Sequence, residues 1–145
     1  MNEQFQALPI DARRAAAAYP LVYLHDASIT TDQWLHFVHE RCQAASGRTG
    51  LIAIRDCRGI VHALFSYRVD SDLRVRRRLC ITDLIVAHLP GADIDAAVAA
   101  TARRVSAELD CHAITIEQPF HPDTRERIGC PTVQALKTRT RRAPL

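Results

Sequence analysis

Three side chains stand where the sequence could move a proton. Asp83 lies inside Ile81-Thr82-Asp83-Leu84-Ile85-Val86, an otherwise largely apolar run. A carboxyl group there needs either a raised pKa and a task, or a structural hydrogen-bond partner. His88 follows at the end of the run, where a base could reach a substrate; a solvent-facing loop histidine fits the same position. Glu117 closes a later β-rich run, His112–Glu117, and is a further candidate acid or base. Tyr23 and Tyr67 offer hydroxyls that nothing in the sequence places.

The thiols point to less. Cys42, Cys57, Cys80, Cys111 and Cys130 are scattered, odd in number and never in a Cys-x-x-Cys pair, which argues against a disulfide framework and a structural zinc site. Cys80 follows an arginine run that would favour a thiolate, but no His or Asn at a recognisable spacing supports a nucleophile there or at Cys57. His36 and Glu40 form one i,i+4 pair, far short of a metal-ligand set. No metal site is expected.

The elements that must position these groups follow from periodicity. Asp11–Ala18 is rich in Ala and Arg and reads as a short helix, ended by Pro20 because the residue before a proline avoids the helical region. Leu21–Leu24 then reads as a short strand. Ser28, Thr30 and Thr31 are candidate caps for a helix over Thr31–Ala45, stopped by Gly47, with His36 and His39 on its exposed face. Gly50–Arg55 and Ile60–Val69 form a hairpin around Asp56-Cys57-Arg58-Gly59. Alternation places Val61, Ala63, Phe65, Tyr67 and Val69 on one face, and His62, Ser66 and Arg68 on the other. A third strand is expected over Arg77–Val86. Ile94, Ala97, Val98, Thr101, Ala102, Val105 and Leu109 mark the clearest helix, with Asp93 as its cap. After His112–Glu117, Thr124–Ile128 reads as a helical turn and Thr132–Thr138 as an edge strand, which would offer a pairing edge for a homodimer.

This order predicts an α/β (α+β) domain, a mixed and mostly antiparallel sheet flanked by helices. At 145 residues the chain has the length of one domain spanning 1–145, with a poorly defined segment over 1–18 and a basic tail over 139–145. Apolar residues make up 48% and charged residues 24%, the balance of a folded water-soluble domain. No apolar run approaches the roughly 18 residues of a membrane helix. Met1–Ile10 lacks the basic start and apolar stretch of a signal peptide, so a cytoplasmic protein is expected. Arg74, Arg76, Arg77 and Arg78, and then Lys137, Arg139, Arg141 and Arg142, are basic clusters without interleaved aromatics, which argues against a nucleic-acid surface.

The segment Pro20–Arg139 resembles the GNAT acetyltransferase superfamily. Ile81–Val86, the loop after it and the helix Ile94–Leu109 look like that family's fourth strand, pyrophosphate loop and third helix. Arg125-Glu126-Arg127-Ile128-Gly129-Cys130 is similar to its Tyr-x-x-x-Gly-Phe segment, with Arg125 in the tyrosine place and Cys130 in the phenylalanine place. The resemblance implies acetyl-CoA or another acyl-CoA as cofactor, held by Ile85, Val86, Ala87, Gly91 and Ala92. It also implies an amine acceptor on a small molecule or protein, with Asp83, His88 and Glu117 as catalytic candidates. The loop departs from the family's Arg/Gln-x-x-Gly-x-Gly/Ala pattern. Pro90 stands at the basic residue and Asp93 and Asp95 at the two later glycine positions, leaving Gly91 as the only glycine of the loop.

Two carboxylates at a helix N-terminus repel a diphosphate, and a proline offers no N–H. The same acids make good helix caps. Three readings therefore stand open. One is an acyl-CoA-dependent N-acyltransferase. Another is a non-catalytic GNAT-like module that binds a ligand or dimerises. The last is an arginine-based nucleic-acid binder, ranked behind both.

Overall fold

The computed structural model of the chain describes residues 4–43, 47–71, 73–74, 76–88 and 93–117. In chain order its elements are β1 (Phe5–Pro9), α1 (Ala15–His25), α2 (Thr31–Gln43), β2 (Thr49–Asp56), β3 (Val61–Ser71), β4 (Arg77–Ile81), β5 (Ile85–Val86), α3 (Ile94–Glu108) and β6 (Ala113–Ile116). The strands form one sheet in the order β1-β2-β3-β4-β6, with β5 also paired to β3. Every pairing is antiparallel except β4 with β6, and α3 makes the crossover that a parallel pair requires.

Each sheet face has its own core. On one, α3 sets Ile94, Val98, Ala102 and Val105 against Ile52, Ile54, Phe65, Leu79, Ile81 and Ile114. This is the stripe that the apolar spacing of the helix predicts. On the other, Leu21 and Val22 of α1 and Trp34 and Val38 of α2 cover Leu51, Ala53, Leu64 and Ile85. The buried Trp34 Nε1–H donates to the Ala15 carbonyl at 2.7 Å and ties the two helices together. Thr30 caps α2 through a reciprocal pair: its hydroxyl accepts from Gln33 N at 3.0 Å, and Gln33 Oε1 accepts from Thr30 N at 2.9 Å.

The N-terminal expectations are corrected. Phe5–Pro9, placed in the poorly defined segment, is an edge strand on β2. The helix does not end before Pro20, and Leu21–Leu24 is helical rather than a strand. A proline inside a helix forfeits one backbone bond and strains the preceding turn. Here Pro20 and Ala16, whose carbonyl loses its partner, are both exposed, so water can satisfy that group. Burial of Leu21 and Val22 in the second core holds the helix past the break.

The hairpin β2–β3 also differs in detail. Its register shifts between Ile54↔Ala63 and Arg55↔Val61, leaving His62 without an opposite residue. Val61 therefore packs with the α1–α2 core while Ala63 packs with the α3 core. His62 turns to meet the Phe5 ring edge-on at 5.3 Å, so Val61 and His62 exchange the faces that strict alternation assigns them.

Asp56 organises the hairpin end. Its Oδ1 accepts from the amides of Arg58 at 2.8 Å and Ile60 at 3.1 Å, and its Oδ2 lies 2.8 Å from Nε2 of the buried His62. Hydrogen bonding to His62, opposed by burial and joined by the bonds from Ile60 and Arg58, holds the Asp56 carboxyl well below the ordinary carboxylate range. A depressed folded-state pKa stabilises fully above the unfolded value of about 3.9 and less as pH falls below it. Asp56→Asn should therefore lower the urea midpoint by a constant amount from about pH 5.5 upward, and by a shrinking amount below about pH 4. A deficit that stays the same down to about pH 3 would contradict this assignment.

Candidate functional site

The strand expected over Arg77–Val86 is not continuous. β4 pairs with β3 up to Tyr67↔Ile81, and pairing resumes at Leu64↔Ile85. Between these points Thr82, Asp83 and Leu84 stand against only Phe65 and Ser66, so the strand carries a one-residue bulge. The Thr82 amide donates to the Ser66 carbonyl at 3.0 Å and keeps the bulge on β3.

The bulge decides where Asp83 goes. Leu84 packs into the α3 core and Ile85 into the α1–α2 core. Thr82 and Asp83 both turn to the α1–α2 face, where the fully buried Ser66 lies. Ser66 Oγ–H donates to Asp83 Oδ2 at 2.6 Å and Thr82 Oγ1–H donates to the same oxygen at 3.0 Å, the two hydroxyls being in contact. Arg41 of α2 brings Nη2 to 3.5 Å from this oxygen and lies over the Phe37 ring, 5.0 Å from its centroid. The Asp83 side chain keeps 14% of its surface exposed. It is thus a strand acid with structural partners and a narrow opening to solvent.

Glu117 lies on the same face. Its amide donates to the Ile81 carbonyl at 2.7 Å, the last backbone bond joining the β6 segment to β4 among the described residues. Its carboxylate takes Arg68 Nη1 at 3.1 Å and Nη2 at 2.7 Å. Arg68 Nε donates to both Asp70 oxygens, at 3.2 and 3.1 Å. The hydrogen bond to Glu117 raises the guanidinium pKa further above its ordinary value. Ser66, Arg68 and Asp70 alternate along β3 on this face. That polar period of two is visible in the sequence, but which acids it meets is not.

His88 is elsewhere. It follows β5 and places Nε2 2.8 Å from Oδ1 of Asp95 in the first turn of α3. Asp93 is the expected cap: its Oδ1 accepts from Ala96 N at 3.2 Å. Of the residues expected to hold a cofactor, Ile85 is buried, Val86 and Ala87 are half-buried, and the Ala87 amide is bonded to the His62 carbonyl at 2.8 Å. Gly91 and Ala92, Pro90, the segment Arg125–Cys130, the runs Thr124–Ile128 and Thr132–Thr138, and the basic tail lie outside the described residues.

One further group converges. Among the described residues, ligand atoms of Asp70, Cys80 and Glu117 lie within 4.8 Å of one another. The Arg68 guanidinium already binds both carboxylates, so the positive charge such a group calls for is present. Burial pushes the Cys80 thiol up, away from thiolate. The neighbouring arginines therefore do not produce the activated cysteine that their proximity suggests.

No family model matches the sequence and no curated protein matches it, yet solved structures share its overall fold. Glucosamine-6-phosphate N-acetyltransferase from Arabidopsis thaliana superposes with a TM-score of 0.63 at 13% identity, over 88% of this chain and 91% of its own. The aminoglycoside N-acetyltransferase AAC(6')-Iy, in complex with CoA, gives 0.66 at 12% over 94% and 88%. A GNAT family acetyltransferase from Staphylococcus aureus gives 0.66 at 11% over 79% and 86%. The fold is GNAT-like. The mixed, mostly antiparallel sheet flanked by helices therefore belongs to a recurring architecture, and the expectation of a sheet of that kind is met. At these identities the likeness concerns shape alone.

The acids at the start of α3 have a measurable structural role. Asp93→Ala should cost about 1 kcal/mol through loss of the cap. Asp95→Asn should cost a further few tenths, up to about 1 kcal/mol, through the helix dipole. Denaturant melts check both, and unchanged midpoints would leave these carboxylates without a structural account.

Proposed function

We propose that the chain is an acyl-CoA-dependent N-acyltransferase, acetyl-CoA being the simplest donor, acting on an amine of a small molecule or protein. The observation that carries this reading is the bulge, which sets the Asp83 carboxylate on the sheet face just beyond the end of the β4–β6 ladder. In such a reaction the amine nitrogen attacks the thioester carbonyl, the C–N bond forms, the C–S bond breaks with its electron pair leaving on the CoA sulfur, the amine proton must be taken up, and a proton must reach the departing thiolate. Asp83 is assigned that proton, directly or through a water, with the Ser66 and Thr82 hydroxyls and Arg41 holding its orientation. Glu117 is a second carboxylate on the same face, and His88 a base at the mouth of α3. Ile85, Val86, Ala87, Gly91 and Ala92 are assigned to the cofactor. A cytoplasmic location and pairing of two copies are part of the same proposal; no described helix is long and apolar enough to cross a membrane.

A second reading rests on a specific observation. Asp93 and Asp95 already supply carboxylates to the N-terminus of α3, where a diphosphate would otherwise find donors and a positive field. A GNAT-like module that binds without catalysis is consistent with that arrangement.

Titration calorimetry with acetyl-CoA, followed by turnover with a panel of amines, separates the two. The enzymatic reading expects binding, and acyl transfer that Asp83→Asn lowers by about 10²–10⁴-fold, the usual reach of a general base. No heat and no thermal shift at millimolar acetyl-CoA would falsify it and leave the binding module.

A further inference from the structure

Among the described residues, few backbone bonds hold the end of the β4–β6 ladder. β6 is four residues long, its ladder to β4 closes with the Glu117 amide on the Ile81 carbonyl, and β4 then turns into the bulge and bonds to β3. Short pairings open more readily than long ones. Yet Cys80, beneath this corner, is only 1% exposed, although Arg68, Asp70 and Glu117 around it keep 37%, 36% and 43% of their side-chain surface.

We propose that Arg68 is a positioning residue that straps β3 to the end of β6 across β4, holding Glu117 in place and closing the sheet face over Cys80. Arg68 stands opposite Cys80 in the β3–β4 register, and Cys80 stands beside Thr115 in the β4–β6 register. To reach Glu117, the guanidinium crosses the intervening strand. Its two outer nitrogens grip Glu117 as a fork while Nε holds Asp70, so the side chain is fixed at both ends. Asp70 Oδ2 is shared: it also lies 3.4 Å from Cys80 Sγ, and Thr115 Oγ1 donates to that sulfur at 3.5 Å. The strap and the thiol therefore form one connected group spanning β3, β4 and β6. The proposal holds whether or not an acyl-CoA is the ligand, because it concerns how the chain positions its own Glu117.

Cys80 reports the strap directly. The full-length protein is alkylated under native conditions, and the labelling rates of Cys80 and Cys111 are read peptide by peptide by mass spectrometry. Cys111 precedes β6 at the far end of the ladder and serves as the internal control for general loosening. Arg68→Met and Glu117→Gln should each speed Cys80 labelling by about two- to fivefold, the range that an exposed bidentate pair supports. Cys111 should be unchanged, and the double variant should be no faster than Arg68→Met alone, since that substitution already removes the contact with Glu117. Arg68→Lys, which keeps the charge but loses the fork, should fall between. Raising salt to about 1 M should speed Cys80 labelling in the wild-type chain through screening and have no such effect in Arg68→Met; the wild-type series needs no variant to fold. Equal rates at Cys80 in wild type and both single variants, a joint rise at Cys80 and Cys111, or salt-independent labelling in the wild type would each overturn the proposal.

Discussion

The arrangement depends on a mismatch in length. Two residues of β3, Phe65 and Ser66, must be matched by three on the returning strand, Thr82, Asp83 and Leu84. The extra residue lets Ile81 and Leu84 both serve the α3 core while Ile85 serves the other. Without it, strict alternation would put Asp83 on the side of Ile81, in the apolar layer beneath α3. The bulge instead delivers the carboxylate to hydroxyls and an arginine, where a polar group in a sheet interior is satisfied rather than stranded. Among the described residues, the β4–β6 ladder ends where the bulge begins, and a second carboxylate, Glu117, lies at that end and partly faces solvent.

Around this point the charges pair in a definite pattern. Asp83 draws on Arg41 from α2, while Asp70 and Glu117 draw on Arg68 from β3. Each of these three acids is thus paired with an arginine, one arginine serving Asp83 and another serving both Asp70 and Glu117, and the face stays polar without becoming a strong single-sign field. The start of α3 is built differently. There the acids face backbone N–H groups and one histidine, which suits a helix terminus but competes for the donors an anion would use. The bulge that places Asp83 and the acids that occupy the start of α3 thus follow one another closely along the chain.

The cores explain why local rules hold in one half of the chain and fail in the other. The α3 stripe is long, regular and capped, so its periodicity and its burial agree. In α1 the local signal is a proline six residues into the helix and a run of alanines with no strong face. What decides is that Leu21 and Val22 must reach the layer already occupied by Trp34, Leu51 and Leu64. Tertiary burial outweighs a helix-breaking residue when the freed carbonyl lies in water.

The sequence by itself determined the fold class, the extents of α2, β2, β3 and α3 to within a few residues, the Asp93 cap and the positive-φ turn at Gly59, whose φ is 88°. These are set by near neighbours along the chain: periodicity, capping and turn chemistry act over a few residues and are written into them. It also marked Asp83, His88 and Glu117 as chemically capable. Only the tertiary structure decided that Asp83 and Glu117 share a face while His88 is drawn to α3. Only it showed that Arg41, Ser66 and Arg68 are their partners, and that His62 and Val61 exchange faces. Those outcomes depend on register, and a shift of one residue between paired strands reverses every side chain beyond it. No local pattern in Arg77–Val86 records that shift, because it is set by the strand across the sheet.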